Sequence, residues 1–150
     1  MLKGLLAFAV IIAVAFFVML ARLAADSRSL SPALGLTGDT LTPCPESPNC
    51  VSSDAPGNDP HYIEPLALSD AGQWDTLIKR ISTMAGATLV TLEHDYAHFT
   101  FSTPLLGFVD DVECHYRPAQ SQAAIRSASR VGYGDMNINR KRVEAIRGLL

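Results

Sequence analysis

From Gly4 to Ala21 the chain runs GLLAFAVIIAVAFFVMLA, without one charged side chain. Coiled as an α-helix at about 1.5 Å per residue, this run reaches roughly 27 Å, close to the ~30 Å hydrocarbon core of a bilayer. Apolar residues lie all round it, so it has no polar face to turn toward water. Leu2 and Leu23 extend the apolar length past Lys3 and Arg22, whose charges can snorkel to the two interfaces. The competing reading is a cleaved signal peptide, whose apolar core is typically ~7–15 residues long and ends in small residues; Leu23-Ala24-Ala25 is a tolerable cleavage site. The run here is longer than that, and an uncleaved anchor over residues 1–25 is the expectation. Lys3 flanks one side and Arg22 and Arg28, offset by Asp26, the other, so the positive-inside rule barely decides orientation. We expect a single-pass protein of the cell inner membrane with a short cytoplasmic tail and its C-terminal domain on the periplasmic side.

The remaining chain has room for one compact domain and not two, since the whole protein is 150 residues long. A hydrophobic fraction of 48% excludes a disordered chain, and a net charge of -3 argues against a dedicated nucleic-acid binder. Residues 26–42 are small, polar and turn-rich and read as a linker. Residues 43–150 read as a single domain. Its first part carries Pro43, Pro45, Pro48, Pro56, Pro60 and Pro65, which forbid a helix and would interrupt a central strand. Cys44 and Cys50 sit close together in that rigid segment and suit a disulfide in an oxidising compartment; the alternative is that both stay reduced. Their spacing is neither that of a zinc knuckle nor C-x-x-C, and Cys114 is left over.

Ser69 offers a helix cap, and Trp74, Leu77, Ile78, Ile81 and Met84 follow at helical spacing, predicting a helix over about 70–85. Four strand-like runs come next: ATLVTLE, YAHFTFST, GFVDDVECHYR and AAIRSASR. In the third, Asp110 shares a face with Val112, Cys114 and Tyr116, while Asp111, Glu113 and His115 take the other. A last helix starts near Asn139 and carries Val143, Ile146 and Leu149. The expected fold class is α+β: an antiparallel meander of about four strands packed with two helices, preceded by a transmembrane helix.

Charge is unevenly divided. Between Asp26 and Tyr116 there are 3 basic and 13 acidic residues, and from Arg117 onward 7 basic and 2 acidic. The halves should attract, and the last strand pair should bring Asp110, Asp111 and Glu113 toward Arg126 and Arg130.

Three stretches taken together carry a resemblance: Cys44-Pro-Glu-Ser-Pro-Asn-Cys50-Val51-Ser-Ser53, Gly107-Phe-Val-Asp-Asp-Val-Glu113, and Arg126-Ser-Ala-Ser-Arg130-Val-Gly132-Tyr-Gly-Asp135 running into Asn139-Arg140-Lys-Arg142. The chain resembles the family named domain of unknown function 1499 from about Leu41 to Leu150. The resemblance implies an envelope or plastid setting behind a signal or membrane segment, and no mechanism.

The arginine segment is the first candidate site. On a strand, Arg126 and Arg130 point to one face with Ala128, and Ser127 and Ser129 to the other. A glycine turn then leads to Asn139, Arg140 and Arg142 at a helix start, where forked guanidinium groups and free N–H groups suit an anion or an acidic partner. The structural alternative pairs Arg126 and Arg130 with Asp110, Asp111 or Glu113 inside the fold; Asp110 faces away from the other two, so not all three can meet the same arginines. His94, His98 and His115, with Asp111 and Glu113, are the residue types of a mixed metal site, but they read better as exposed polar strand residues, and no metal is expected. His61 would cap a turn or bond the acidic strand. No cofactor is expected either, because P-loop and G-x-G-x-x-G patterns are both missing, and without a G-x-S-x-G pattern around Ser127 or Ser129 no acyl-transfer enzyme is expected. The functional expectation is a non-catalytic envelope module that binds a small anionic ligand or a protein partner. One alternative is a hydrolase of anionic substrates using Asp110, Asp111, Glu113 or His115 beside the arginines. Another is an accessory subunit of a membrane complex, for which Ala7, Ala9, Ala13 and Ala15 offer a small-residue helix face.

Overall fold

The computed structural model describes residues 2–150. Helix α1 spans Leu2–Ser29 and is long and apolar enough, by length and composition, to cross a membrane. It runs past the expected boundary at residue 25 because Leu23, Ala24 and Ala25 are good helix formers and no breaker follows before Pro32. Two short strands, β1 (Leu36–Thr37) and β2 (Thr40–Leu41), then pair as a tight hairpin.

The core is a six-stranded antiparallel sheet. Its strands are β3 (Cys50–Ser52), β4 (Leu66–Ala67), β5 (Ala87–Leu92), β6 (Tyr96–Ser102), β7 (Val109–Arg117) and β8 (Gln122–Ser129). The four predicted runs are β5 to β8, in meander order. The sheet has more strands than predicted because the proline-rich segment contributes two. β3 and β4 lie end to end along the free edge of β8, where a proline-interrupted chain can still pair.

Helix α2 (Ala71–Ser82) packs Trp74, Leu77, Ile78 and Ile81 on one face of the sheet. Its cap is Asp70 rather than Ser69: the Asp70 carboxylate accepts from Gln73 N at 2.8 Å, and the Gln73 side chain reaches back to Ser69 N at 2.7 Å. Between α2 and β5 the chain turns at Gly86, whose φ of +79° and close approach to the Ser102 carbonyl leave no space for a Cβ. Helix α3 (Ile138–Arg147) adds Val143 and Ile146 to the same core. On this face Ala97, Phe99 and Phe101 of β6, Val112, Cys114 and Tyr116 of β7, and Ala123 and Ile125 of β8 alternate inward, and Trp74 stacks on Tyr116.

The opposite face is the unusual one. It carries Tyr96 and His98, then Asp111, Glu113 and His115, then Arg126, and all of these are buried. What covers them is the segment expected to be a free linker. Leu41 packs on Tyr96 and Ala124, Gly35 N donates to Glu113 Oε1 at 2.6 Å, and Val109 N donates to Ser27 Oγ at 3.2 Å. Residues 27–45 are therefore a cover over the charged face. Of the three histidines read as exposed, His94 is exposed, but His98 and His115 are each only 6% exposed for the same reason.

Candidate functional site

Register decides which charges meet. β7 and β8 pair with Glu113 directly opposite Arg126 and Asp111 opposite Ala128, so Arg130 lies two residues further along the face from Ala128. Arg126 Nη1 donates to Glu113 Oε2 at 2.9 Å. Arg130 grips Asp111 with both arms of its fork, Nε to Oδ2 at 2.7 Å and Nη2 to Oδ1 at 2.8 Å. Asp110, on the helix-packed face, takes a different arginine: Arg142 of α3 donates to it at 2.5 Å while lying over the Phe101 ring.

The carboxylates have further partners. Glu113, with no exposed surface, also accepts from Tyr96 Oη at 2.8 Å and from Gly35 N, so both its oxygens are occupied. Burial and the Glu113 charge push the Tyr96 phenol well above its ordinary 10, which keeps it a proton donor. Asp111 bonds His98 Nε2 at 2.8 Å as well as Arg130. Burial alone would raise its carboxyl, but the hydrogen bonds and charges of Arg130 and His98 outweigh burial and hold it below the usual 3.8. Burial next to Glu113 pushes the free thiol of Cys114 up to about 12, so that cysteine is inert.

Asn139 has no exposed surface and organises the start of α3. Its amide donates to Asn49 O, Ser129 Oγ and Asp135 Oδ2, and its carbonyl accepts from Ser127 Oγ and Arg142 Nη1. Ser127 and Ser129 thus lie opposite the strand arginines, as their alternation requires. Asp135 accepts from both Asn137 N and Asn139 N and stands in for a cap at Asn137. Cys44 and Cys50 form a disulfide with their Cα atoms 5.7 Å apart. His61 bonds the Cys50 carbonyl through Nδ1 at 2.8 Å and leaves the acidic strand alone. Among the described residues no group of three or more His, Cys, Asp or Glu is placed to hold a metal ion.

Two guanidinium groups keep donors in reserve. Arg126 makes its one ion pair through Nη1, and its buried Nε has no partner. It lines a cleft of about 310 Å³ between the cover (Pro32, Ala33 and Pro43 to Pro45) and the end of β8. Arg140 donates to the Pro60 carbonyl at 2.9 Å and belongs to no ion pair among the described residues; it lines a second cleft of about 300 Å³ with Tyr133 and His61.

Several members of the network are invisible to motif reading. Arg117 holds Asp54 with two hydrogen bonds of 2.8 and 2.7 Å; burial raises the Asp54 carboxyl, and the bonds from Arg117 and Leu41 N bring it below 3.8. Ser27 and the carbonyls at the end of α1 belong to it too. Arg130 Nη1 donates to Ser27 O and Leu30 O, and Arg28 Nη1 to Leu106 O at 2.9 Å and Gly107 O at 3.1 Å. A helix followed by a turn-rich stretch gives no sign in sequence that its last carbonyls will be gripped by residues a hundred positions away.

Fold and site together define a class: a small α+β module whose charged sheet face is neutralised internally and closed by the segment leaving an apolar helix. Residues 40–150, well over half the chain, match the family model described as "Protein of unknown function (DUF1499)". The chain belongs to that family, as its cysteine and arginine motifs lead one to expect. No curated protein and no solved structure matches it.

Proposed function

We propose that this protein is an envelope module held in the inner membrane by α1, with its domain on the periplasmic side, and that it binds an anionic ligand or an acidic group of a partner without transforming it. The observation that carries this reading is the division of labour among the charges. Asp110, Asp111 and Glu113 each have an arginine partner, while Arg126, bonded through Nη1 alone, and Arg140, in no ion pair among the described residues, line clefts. A hydrolase would need a carboxylate free to exchange a proton beside the arginines, and Asp110, Asp111 and Glu113 are each bonded to an arginine instead. The disulfide supports an oxidising compartment. Removal of the first 25 residues as a signal peptide would delete Ala24, which is only 1% exposed, and this supports retention of the helix.

The test is calorimetric titration of the full chain in detergent micelles with inorganic phosphate and with acetate. Arg126→Lys keeps a charge for Glu113 but removes the guanidinium fork, and Arg140→Met removes the positive charge of the second cleft. Saturable binding that one of these variants abolishes, with Lys141→Ala unchanged, is expected. No binding by the unaltered chain, or binding indifferent to both arginines, would overturn the ligand reading.

A further inference from the structure

We propose that the β6–β7 turn, residues 103–108, seats on the surface of the same bilayer that α1 enters, with Leu105 in the lipid interface. The inference rests on the reading of α1 as membrane-spanning and adds a second contact to it.

Leu105 is 87% exposed, and its neighbours Pro104 and Leu106 leave the tip of this turn apolar. The turn is not free to point anywhere. Arg28, in the last turn of α1, donates to the carbonyls of Leu106 and Gly107, and Ser27 Oγ receives Val109 N just beyond. The height of the turn above the lipid follows from helix geometry. The uncharged run ends at Ala21, and the interfacial zone of a bilayer adds about 5–8 Å on each side of the hydrocarbon. Arg28 lies seven residues on, so its Cα stands about 10 Å beyond Ala21. Long side chains on a helix lean back toward its N-terminus, here toward the membrane, which lowers the guanidinium and the turn it holds. Ala24, three residues past the run and about 4–5 Å above its end, is already buried, and Leu20, inside the run, is partly so. The domain therefore reaches down α1 to the level of the headgroups, and the apolar tip beside Arg28 is at lipid depth. Continuity with the helix end is what selects a lipid surface as the occupant of this tip.

The experiment uses single-cysteine labelling of the full chain in phosphatidylcholine nanodiscs. The native cysteines do not compete, since Cys44 and Cys50 are bonded and Cys114 is buried. Leu105→Cys, Phe17→Cys and Ala119→Cys each receive an environment-sensitive fluorophore; Ala119 is exposed in the β7–β8 connection, at the far end of the sheet. Spin-labelled lipids then quench according to depth, and the emission of buried Trp74 checks that each variant is folded. The expected result is loss of the residue 105 signal to shallow spin labels, loss of the residue 17 signal to deep ones, and an unchanged residue 119 signal. Quenching at 17 without quenching at 105 would overturn the seating while leaving the anchor in place. No quenching at 17 would remove the anchor reading, and the seating with it.

Discussion

Replacing Arg126 by Met isolates the strongest claim made for the charged face, that its ions are held by one another. The Arg126 side chain is 6% exposed and Glu113 has no exposed surface, so the carboxylate left behind has no water to fall back on. Removing one member of a buried pair costs about 3–5 kcal/mol, because the survivor stays buried and uncompensated. Tyr96 Oη and Gly35 N still reach Glu113 and place the expected loss at the lower end of that range. Against a total stability of about 5–15 kcal/mol this is a large fraction. At roughly 4 °C per kcal/mol for a domain of this size, the midpoint should fall by about 12 °C. Trp74, the sole tryptophan, is buried and stacked on Tyr116, and its fluorescence during heating in detergent reports the melting of this domain directly. The double variant Glu113→Leu/Arg126→Met carries no buried charge at this position and should recover most of the loss. An Arg126→Met protein within about 1 kcal/mol of the unaltered chain would show that the pair contributes no net restraint and refute the reasoning.

Acid should unfold the domain through its paired carboxylates. Asp111 and Asp54 both lie below their ordinary 3.8 in the folded state, so the stability they contribute is fully present above that value and is lost as pH falls below it; Asp111→Asn should flatten this part of an acid titration followed by Trp74 emission. Asn139→Ala strands several buried partners at once and should cost about 2–3 kcal/mol in denaturant unfolding. Alkylation of the denatured, unreduced chain should mark Cys114 alone, and modification of all three cysteines would reject the disulfide. Cys44→Ser/Cys50→Ser should lower stability by about 2 kcal/mol, as closing so short a loop implies.

The parts of the fold with strong periodicity were legible from residues alone. The alternation in β6, β7 and β8 places every charged residue on the face it occupies, and the i, i+3, i+4 spacing of Trp74, Leu77, Ile78 and Ile81 draws α2 to within a few residues. The separation of Asp110 from Asp111 and Glu113 follows from the same alternation, and it is why Arg142 rather than a strand arginine answers Asp110. Residues 27–45 were opaque for a physical reason. They attach to the domain through backbone groups and single side chains such as Gly35 N, Ser27 Oγ and Leu41, which leave no repeating apolar pattern. Without the cover, a face carrying two histidines, two acids and an arginine looks like a solvated one. The shared partners of Asn139 were equally unreadable, since they join Asn49, just before β3, to β8 and α3 across long sequence separations.

Whether α1 remains attached to the domain it grips can be read from one preparation. The full-length sequence is expressed in a bacterial host, the membranes are washed with carbonate, and the intact mass of the protein is measured in the soluble and detergent-extracted fractions. The account predicts a chain still carrying its apolar N-terminus and released by detergent only. A shortened chain beginning near Asp26, recovered without detergent, would contradict it.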